Sequence, residues 1–70
     1  MKKFLVVIEE TKSGYSAYVP SLPGCIATGK TRSEVEQNIY EAINFHLEGL
    51  KAEGLPVPDI KCESELMVFA

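Results

Sequence analysis

The stretch Tyr15–Gly29, which reads YSAYVPSLPGCIATG, constrains the fold more than any other part of the chain. Two short apolar runs flank a segment that contains Pro20, Pro23 and Gly24. Because proline fixes φ and glycine permits positive φ, Leu22–Cys25 predicts a tight turn between two strands. A long helical pattern follows, so we expect the chain to be built on a strand, a turn, a strand and a helix.

Two further apolar segments predict a four-stranded sheet. Phe4–Ile8 is an unbroken, β-branched run, typical of a strand that is buried on both faces at the centre of a sheet. Tyr15–Val19 alternates between apolar and polar residues, and Cys25–Thr28 predicts a short edge strand. Ile60–Ala70 predicts a fourth strand, which returns parallel to the first after the helix. The expected architecture is a mixed sheet of order 3-2-1-4 in a two-layer α/β (α+β) domain.

The helix prediction rests on a cap and an apolar stripe. Thr31 and Glu34 form a T-x-x-E capping box. Gly54 and the prolines after it predict the end of the helix. The apolar stripe recurs at spacings of three and four: Val35, Ile39, Ala42, Ile43, His46, Leu47 and Leu50. The pattern predicts one amphipathic helix over Thr31–Ala52, packed on one face of the sheet.

Composition bounds the class of protein. Seventy residues with 46% hydrophobic content indicate one domain, residues 1–70. A net charge of −3 argues against a nucleic-acid surface. Cys25 and Cys62 lack metal-site spacing, so we expect reduced thiols in a cytoplasmic protein. The first apolar run has five residues and ends at Glu9, which supports neither export nor membrane insertion.

Few residues indicate chemistry. Gly24–Thr31 matches the phosphate-loop pattern G-x-x-x-x-G-K-[ST], but Pro23 precedes it and the intervening residues predict a strand, so we expect no nucleotide site. His46, the single histidine, lies by the apolar stripe and is interpreted as structural. A carboxylate cluster for metal-assisted hydrolysis is conceivable, although solvated surface charges are the favoured interpretation: Glu9, Glu10, Asp59, Glu63 and Glu65. We therefore predict no catalytic residue, metal or cofactor.

The apolar strands also predict self-association. Phe4–Ile8 and Leu66–Phe69 are apolar on both faces, whereas one helix covers only one face of a sheet. We expect a homodimer or larger homo-oligomer with Leu66, Met67 and Phe69 in its interface. The alternative is a small curled sheet that leaves a few apolar side chains in water.

The sequence closely resembles the HicB-type antitoxin family. The resemblance is carried by five segments: YSAYVPSLPGC (15–25), TGKTRSEV (28–35), EAI (41–43), HLEGL (46–50) and GLPVP (54–58). It implies a truncated ribonuclease-H-like β-β-β-α-β fold. Family members typically neutralise HicA, a small toxin that cleaves mRNA, by binding it and covering its active site, in type II toxin–antitoxin systems.

The resemblance implies a binding module rather than an enzyme. We expect a HicA-type toxin as the partner, with contacts from the turn region: Tyr18, Pro20, Leu22, Pro23 and Gly24. A purely structural role for Pro23 and Gly24 stays open. The C-terminal DNA-binding domain of many members is absent from this sequence, so we expect no direct DNA binding. The alternatives are a relict ribonuclease-H-like nuclease that uses carboxylates such as Glu9 with a divalent metal, and an orphan protein-binding domain.

Overall fold

Three antiparallel strands and one long helix form the body of the protein in a computed structural model, which describes residues 3–58 and 62–70. The strands are β1 (Val7–Thr11), β2 (Gly14–Tyr18) and β3 (Ile26–Gly29), and they pair in the order β1-β2-β3. The helix α1 (Arg32–Ala52) lies on one face of this sheet. The fold is therefore α+β, and the edge position predicted for the third strand is confirmed.

The core lies between the sheet and the helix. Ala17, on the middle strand β2, pairs with Ile8 on β1 and with Ala27 on β3, and all three belong to the core between the sheet and the helix. Because side chains alternate along a strand, Tyr18 points to the opposite face, which no other element covers among the described residues. The buried core consists of Ala17, Val19, Leu22, Cys25, Val35 and Ile39.

The helix begins and ends as its sequence predicts. The Thr31 hydroxyl accepts a hydrogen bond from the Glu34 N–H at 3.0 Å, which caps the first turn. The Glu34 carboxylate accepts from the Lys30 N–H at 3.3 Å, one residue before the partner that a capping box would give it. At the other end the Gly54 N–H donates to the Lys51 carbonyl at 3.1 Å, and the next N–H reaches the Leu50 carbonyl at 2.9 Å. This is the Schellman pattern of helix termination.

A close backbone approach fixes the helix on the sheet. A Cβ atom on Gly29 would lie 2.6 Å from the Val35 nitrogen, so only glycine fits between the end of β3 and the first turn of the helix. The Asn38 side-chain amide donates to the Thr28 carbonyl at 2.8 Å, which joins the same two elements one turn further along. Val35 is completely buried as a result.

Among the described residues no fourth strand forms, and the sheet order is β1-β2-β3 rather than the predicted 3-2-1-4. Residues 62–70 adopt no regular secondary structure, while 59–61, with which the predicted strand begins, lie outside the described residues. Leu66 and Val68 are 99% and 97% exposed, so they make no packing contacts that would hold a strand in place. β1 therefore lies at an edge of the sheet rather than at its centre. The first and last apolar segments were predicted to pair as neighbouring strands, and this pairing is not formed among the described residues.

Candidate protein-binding surface

Two consecutive β-turns connect β2 to β3 at one end of the sheet. The first is closed by the Leu22 N–H, which donates to the Val19 carbonyl at 3.0 Å. The second is closed by the Cys25 N–H, which donates to the Leu22 carbonyl at 3.0 Å. The Val19 N–H then donates to the Cys25 carbonyl at 3.1 Å, which closes the base of the loop. Three backbone hydrogen bonds within seven residues make this connection rigid.

Proline and glycine occupy the positions that these turns require. Pro20 is the second residue of the first turn, and Pro23 is the second residue of the next. Gly24 follows with φ of 82°, the left-handed conformation that the third position of a type II turn needs. The predicted Leu22–Cys25 turn is confirmed, and its residues have a structural reason to be what they are.

The Leu22 side chain anchors the double turn in the hydrophobic core. Its side chain is 0% exposed and belongs to the same buried cluster as Val35 on the helix. This corrects its predicted role as a contact residue, since a fully buried side chain presents no surface to a partner. Turn residues carry no periodic pattern, so the sequence did not indicate which of them points inwards.

The other predicted contact residues reach the surface together. Pro23 and Gly24 are exposed, Pro20 is half-buried, and Tyr18 is 41% exposed at the end of β2. Their role in binding stays a prediction, but the structure places them next to one another around the double turn.

Ile26 extends this region and was not predicted. It pairs directly with Tyr18 across the two strands and is 70% exposed. Val7 pairs with Tyr18 from the other side, so an apolar row crosses the open face of the sheet. The alternation of β3 could have indicated Ile26, because it lies one residue from the buried Cys25. We call Tyr18, Pro20, Pro23, Gly24 and Ile26 the turn surface.

The turn surface contains no charged side chain, and the thiol beneath it is inert. Burial raises the pKa of the Cys25 thiol, which keeps it protonated and therefore a poor nucleophile. Within residues 3–58 and 62–70, no group of three His, Cys, Asp or Glu side chains could hold a metal ion. The turn surface thus presents uncharged side chains, of which Tyr18 and Ile26 contribute exposed apolar area.

The segment that resembles a phosphate loop has a different structure. The middle of the segment is the strand β3, which begins at Ile26, two residues after the first glycine of the pattern, and ends at its second glycine, Gly29. Lys30 and Glu34 line an open cavity of about 480 Å³ at the end of the sheet away from the turn surface. The Glu34 carboxylate already accepts from the Lys30 N–H there, and its negative charge would repel a phosphate. That this segment is not a nucleotide site stays a prediction.

The remaining candidates are dispersed. Glu9 and Glu10 are exposed on β1, Glu63 and Glu65 are exposed near the chain end, and Asp59 lies outside the described residues. His46 is half-buried on the helix. Leu66, Met67 and Phe69 are 99%, 69% and 86% exposed, and their part in self-association stays a prediction. No helix in the part of the chain that the structure describes is long and apolar enough to cross a membrane.

Comparison with known proteins identifies the family. Residues 4–67 match the family described as the HicB-like antitoxin of bacterial toxin–antitoxin systems. The chain belongs to the HicB-like antitoxin family. The match includes both the double turn and the helix, so the turn surface is part of the family domain.

Proteins of similar length and longer proteins are related to this chain in sequence. A UPF0150 protein of Thermoplasma acidophilum is 41% identical over 69 residues, covering 97% of this chain and 99% of that protein. A UPF0150 protein of Synechocystis is 46% identical over 79% of this chain and 71% of its own length. A 14.9 kDa protein of Haemophilus phage HP1 is 42% identical over 76% of this chain, but the matched part is 40% of that protein.

A solved structure shares the fold of this HicB-like chain. It is a chain from a structure described as the HicA3 and HicB3 toxin–antitoxin complex, with a TM-score of 0.66 and 31% sequence identity. The superposition covers 84% of this chain and 72% of that chain. The likeness supports an α+β antitoxin domain and an antitoxin role in general.

Proposed function

We propose that this chain is an antitoxin that binds a basic, RNA-cleaving toxin of the HicA type and covers its active site, with no catalysis of its own. The observation that carries the proposal is the structural likeness, at 31% identity, to a chain of a HicA3–HicB3 complex. The proposal treats residues 1–70 as a single domain of truncated ribonuclease-H-like type that acts in the cytoplasm, where the toxin meets its mRNA.

The turn surface is the proposed contact. Its backbone is held by three hydrogen bonds and by the buried Leu22, so little conformational freedom is lost when a partner binds. Tyr18 and Ile26 supply apolar area, and tyrosine is enriched at the energetic centres of protein interfaces. A rigid, uncharged protrusion of this kind can enter a cleft and exclude RNA without any chemical step.

Long-range charge favours such a partner. The chain carries ten acidic and seven basic residues, a net charge of −3. An enzyme that binds RNA needs lysine and arginine around its active site. A negatively charged protein is attracted to that surface, which raises the association rate. Salt should therefore slow association more than it speeds dissociation.

Co-purification with the product of the adjacent gene tests the proposal, under which that product is a HicA-type toxin. We expect Ile26→Asp to weaken the complex by more than about tenfold, because it places a charge in the apolar contact. Phe45→Asp is the matched control: Phe45 is 80% exposed on the helix, on the other layer of the molecule, and the change should leave affinity within about twofold.

Two results would contradict different parts of the proposal. Absence of any complex with the toxin would contradict the function. A complex that Phe45→Asp weakens and Ile26→Asp does not would keep the function and overturn the turn surface as its contact.

A further inference from the structure

An apolar groove runs between β1 and the helix. It encloses about 230 Å³, and its walls are almost entirely apolar. The residues that line it are Val6, Ile8, Glu36, Ile39, Tyr40 and Ile43. Tyr40 is 63% exposed, although it borders the core at Ile39. The groove is therefore an apolar surface that the chain itself leaves uncovered.

The sheet is open along the same side. Among the described residues no strand pairs with the outer edge of β1, since the sheet order is β1-β2-β3. An open edge offers a row of free N–H and C=O groups to another extended segment. Backbone pairing and an apolar groove thus lie next to each other, which is the combination that strand addition uses.

The same chain carries a segment with matching chemistry. Leu66–Phe69, read LMVF, has no charge and no proline or glycine. Its side chains are 69% to 99% exposed, so they do not occupy the groove of their own chain. Four adjacent apolar side chains in water are unfavourable, since burying each one contributes about 1.5–3 kcal/mol.

We propose that Leu66–Phe69 of one copy pairs with β1 of a second copy and fills its groove, in a reciprocal exchange. Each copy holds one such segment and one groove, so two copies satisfy both and close a two-fold dimer. In an extended segment Leu66 and Val68 share one face, and Met67 and Phe69 share the other. One pair would cover the groove, and the other would extend the apolar row on the open face. This inference does not rest on the proposed function.

A set of full-length variants tests the exchange by sedimentation equilibrium. We expect the wild-type chain to be a dimer at micromolar concentration. Val68→Asp with Phe69→Asp should raise the dimer dissociation constant more than about 100-fold, because each dimer contains every contact twice. Tyr40→Asp should weaken the dimer from the groove side. Phe45→Asp, at an aromatic position that is 80% exposed and does not line the groove, should leave the dimer intact.

Mixing distinguishes exchange from any other dimer. The tail variant keeps an intact groove, and Tyr40→Asp keeps an intact tail, so a mixture of the two should form a dimer through one remaining contact. Circular dichroism should report the same fold for both, because the substituted side chains are exposed. A wild-type monomer at high micromolar concentration, a tail variant that remains dimeric, or a mixture that stays monomeric would each overturn the proposal.

Discussion

The contact between Gly29 and the first turn of the helix gives the sharpest test of how the domain is held together. In Gly29→Ala the new Cβ would lie 2.6 Å from the Val35 nitrogen, 2.9 Å from its Cα and 3.0 Å from the Glu34 carbonyl carbon. All three atoms belong to the backbone, so no side chain can rotate out of the way. The helix must move away from β3, and Val35, now fully buried, must move with it.

The cost follows from this geometry. Overpacking a core costs about 1–3 kcal/mol, and a clash with backbone alone places this case near about 3 kcal/mol. A domain of this length has a free energy of unfolding of about 4–10 kcal/mol, so the variant loses a large share of it. The melting temperature should fall by roughly 15 °C, given about 4–8 °C for each kcal/mol in small domains.

Urea unfolding followed by far-ultraviolet circular dichroism measures this loss. Gly49→Ala is the matched control, because no atom lies within 4 Å of its added Cβ and it sits within the helix. It should gain about 0.5–1 kcal/mol from helix propensity. A Gly29→Ala variant within about 0.5 kcal/mol of wild type would refute the close approach of helix and sheet.

Other predictions follow from single contacts. Leu22→Ala should lower the free energy of unfolding by about 2–5 kcal/mol, whereas Pro23→Ala, at an exposed turn position, should lower it by no more than about 1 kcal/mol. Thr31→Ala should cost about 1 kcal/mol through loss of the helix cap, measured by the same urea unfolding. With a thiol reagent the half-buried Cys62 should react well before the buried Cys25. Because burial raises the pKa of Cys25, its protonated form stabilises the fold below the ordinary thiol pKa, and unfolding titrations should show that this contribution falls as pH rises beyond it.

Each of these predictions has a result that would contradict it. Equal losses for Leu22→Ala and Pro23→Ala would mean that the double turn is not anchored in the core. An unchanged free energy of unfolding in Thr31→Ala would mean that the Thr31 hydroxyl does not stabilise the helix. Equal thiol rates would place both cysteines at the surface, and an alkaline fall in stability that persists in Cys25→Ala would assign it to another group.

The local elements of this fold could be predicted because their signals are local. Thr31, Gly54 and the stripe between them specify where the helix begins, ends and packs. Pro23 and Gly24 specify a turn type through their φ angles alone. The alternation of Tyr15–Val19 agrees with a strand that buries Ala17 on one face and leaves Tyr18 partly exposed on the other.

What could not be predicted depends on contacts distant in sequence. The run Phe4–Ile8 indicated a central strand. An apolar run shows that its side chains favour burial, but it does not specify which segment, or which copy of the chain, packs against them. Leu22 lies in a turn, where no period assigns it to the core, and Ile26 is apolar yet exposed. The glycine at 29 follows from a helix that packs against it, which no local pattern encodes.

The proposed antitoxin function is tested most directly by an RNA-cleavage assay in which a purified HicA-type toxin is titrated with this chain. We expect cleavage to fall in proportion to the added chain and to end at a fixed molar ratio. Ile26→Asp should shift the titration to higher concentration, and the chain alone should leave RNA intact. Full cleavage of RNA in the presence of excess chain would contradict the proposed antitoxin function. So would metal-dependent cleavage by the chain itself that Glu9→Gln abolishes.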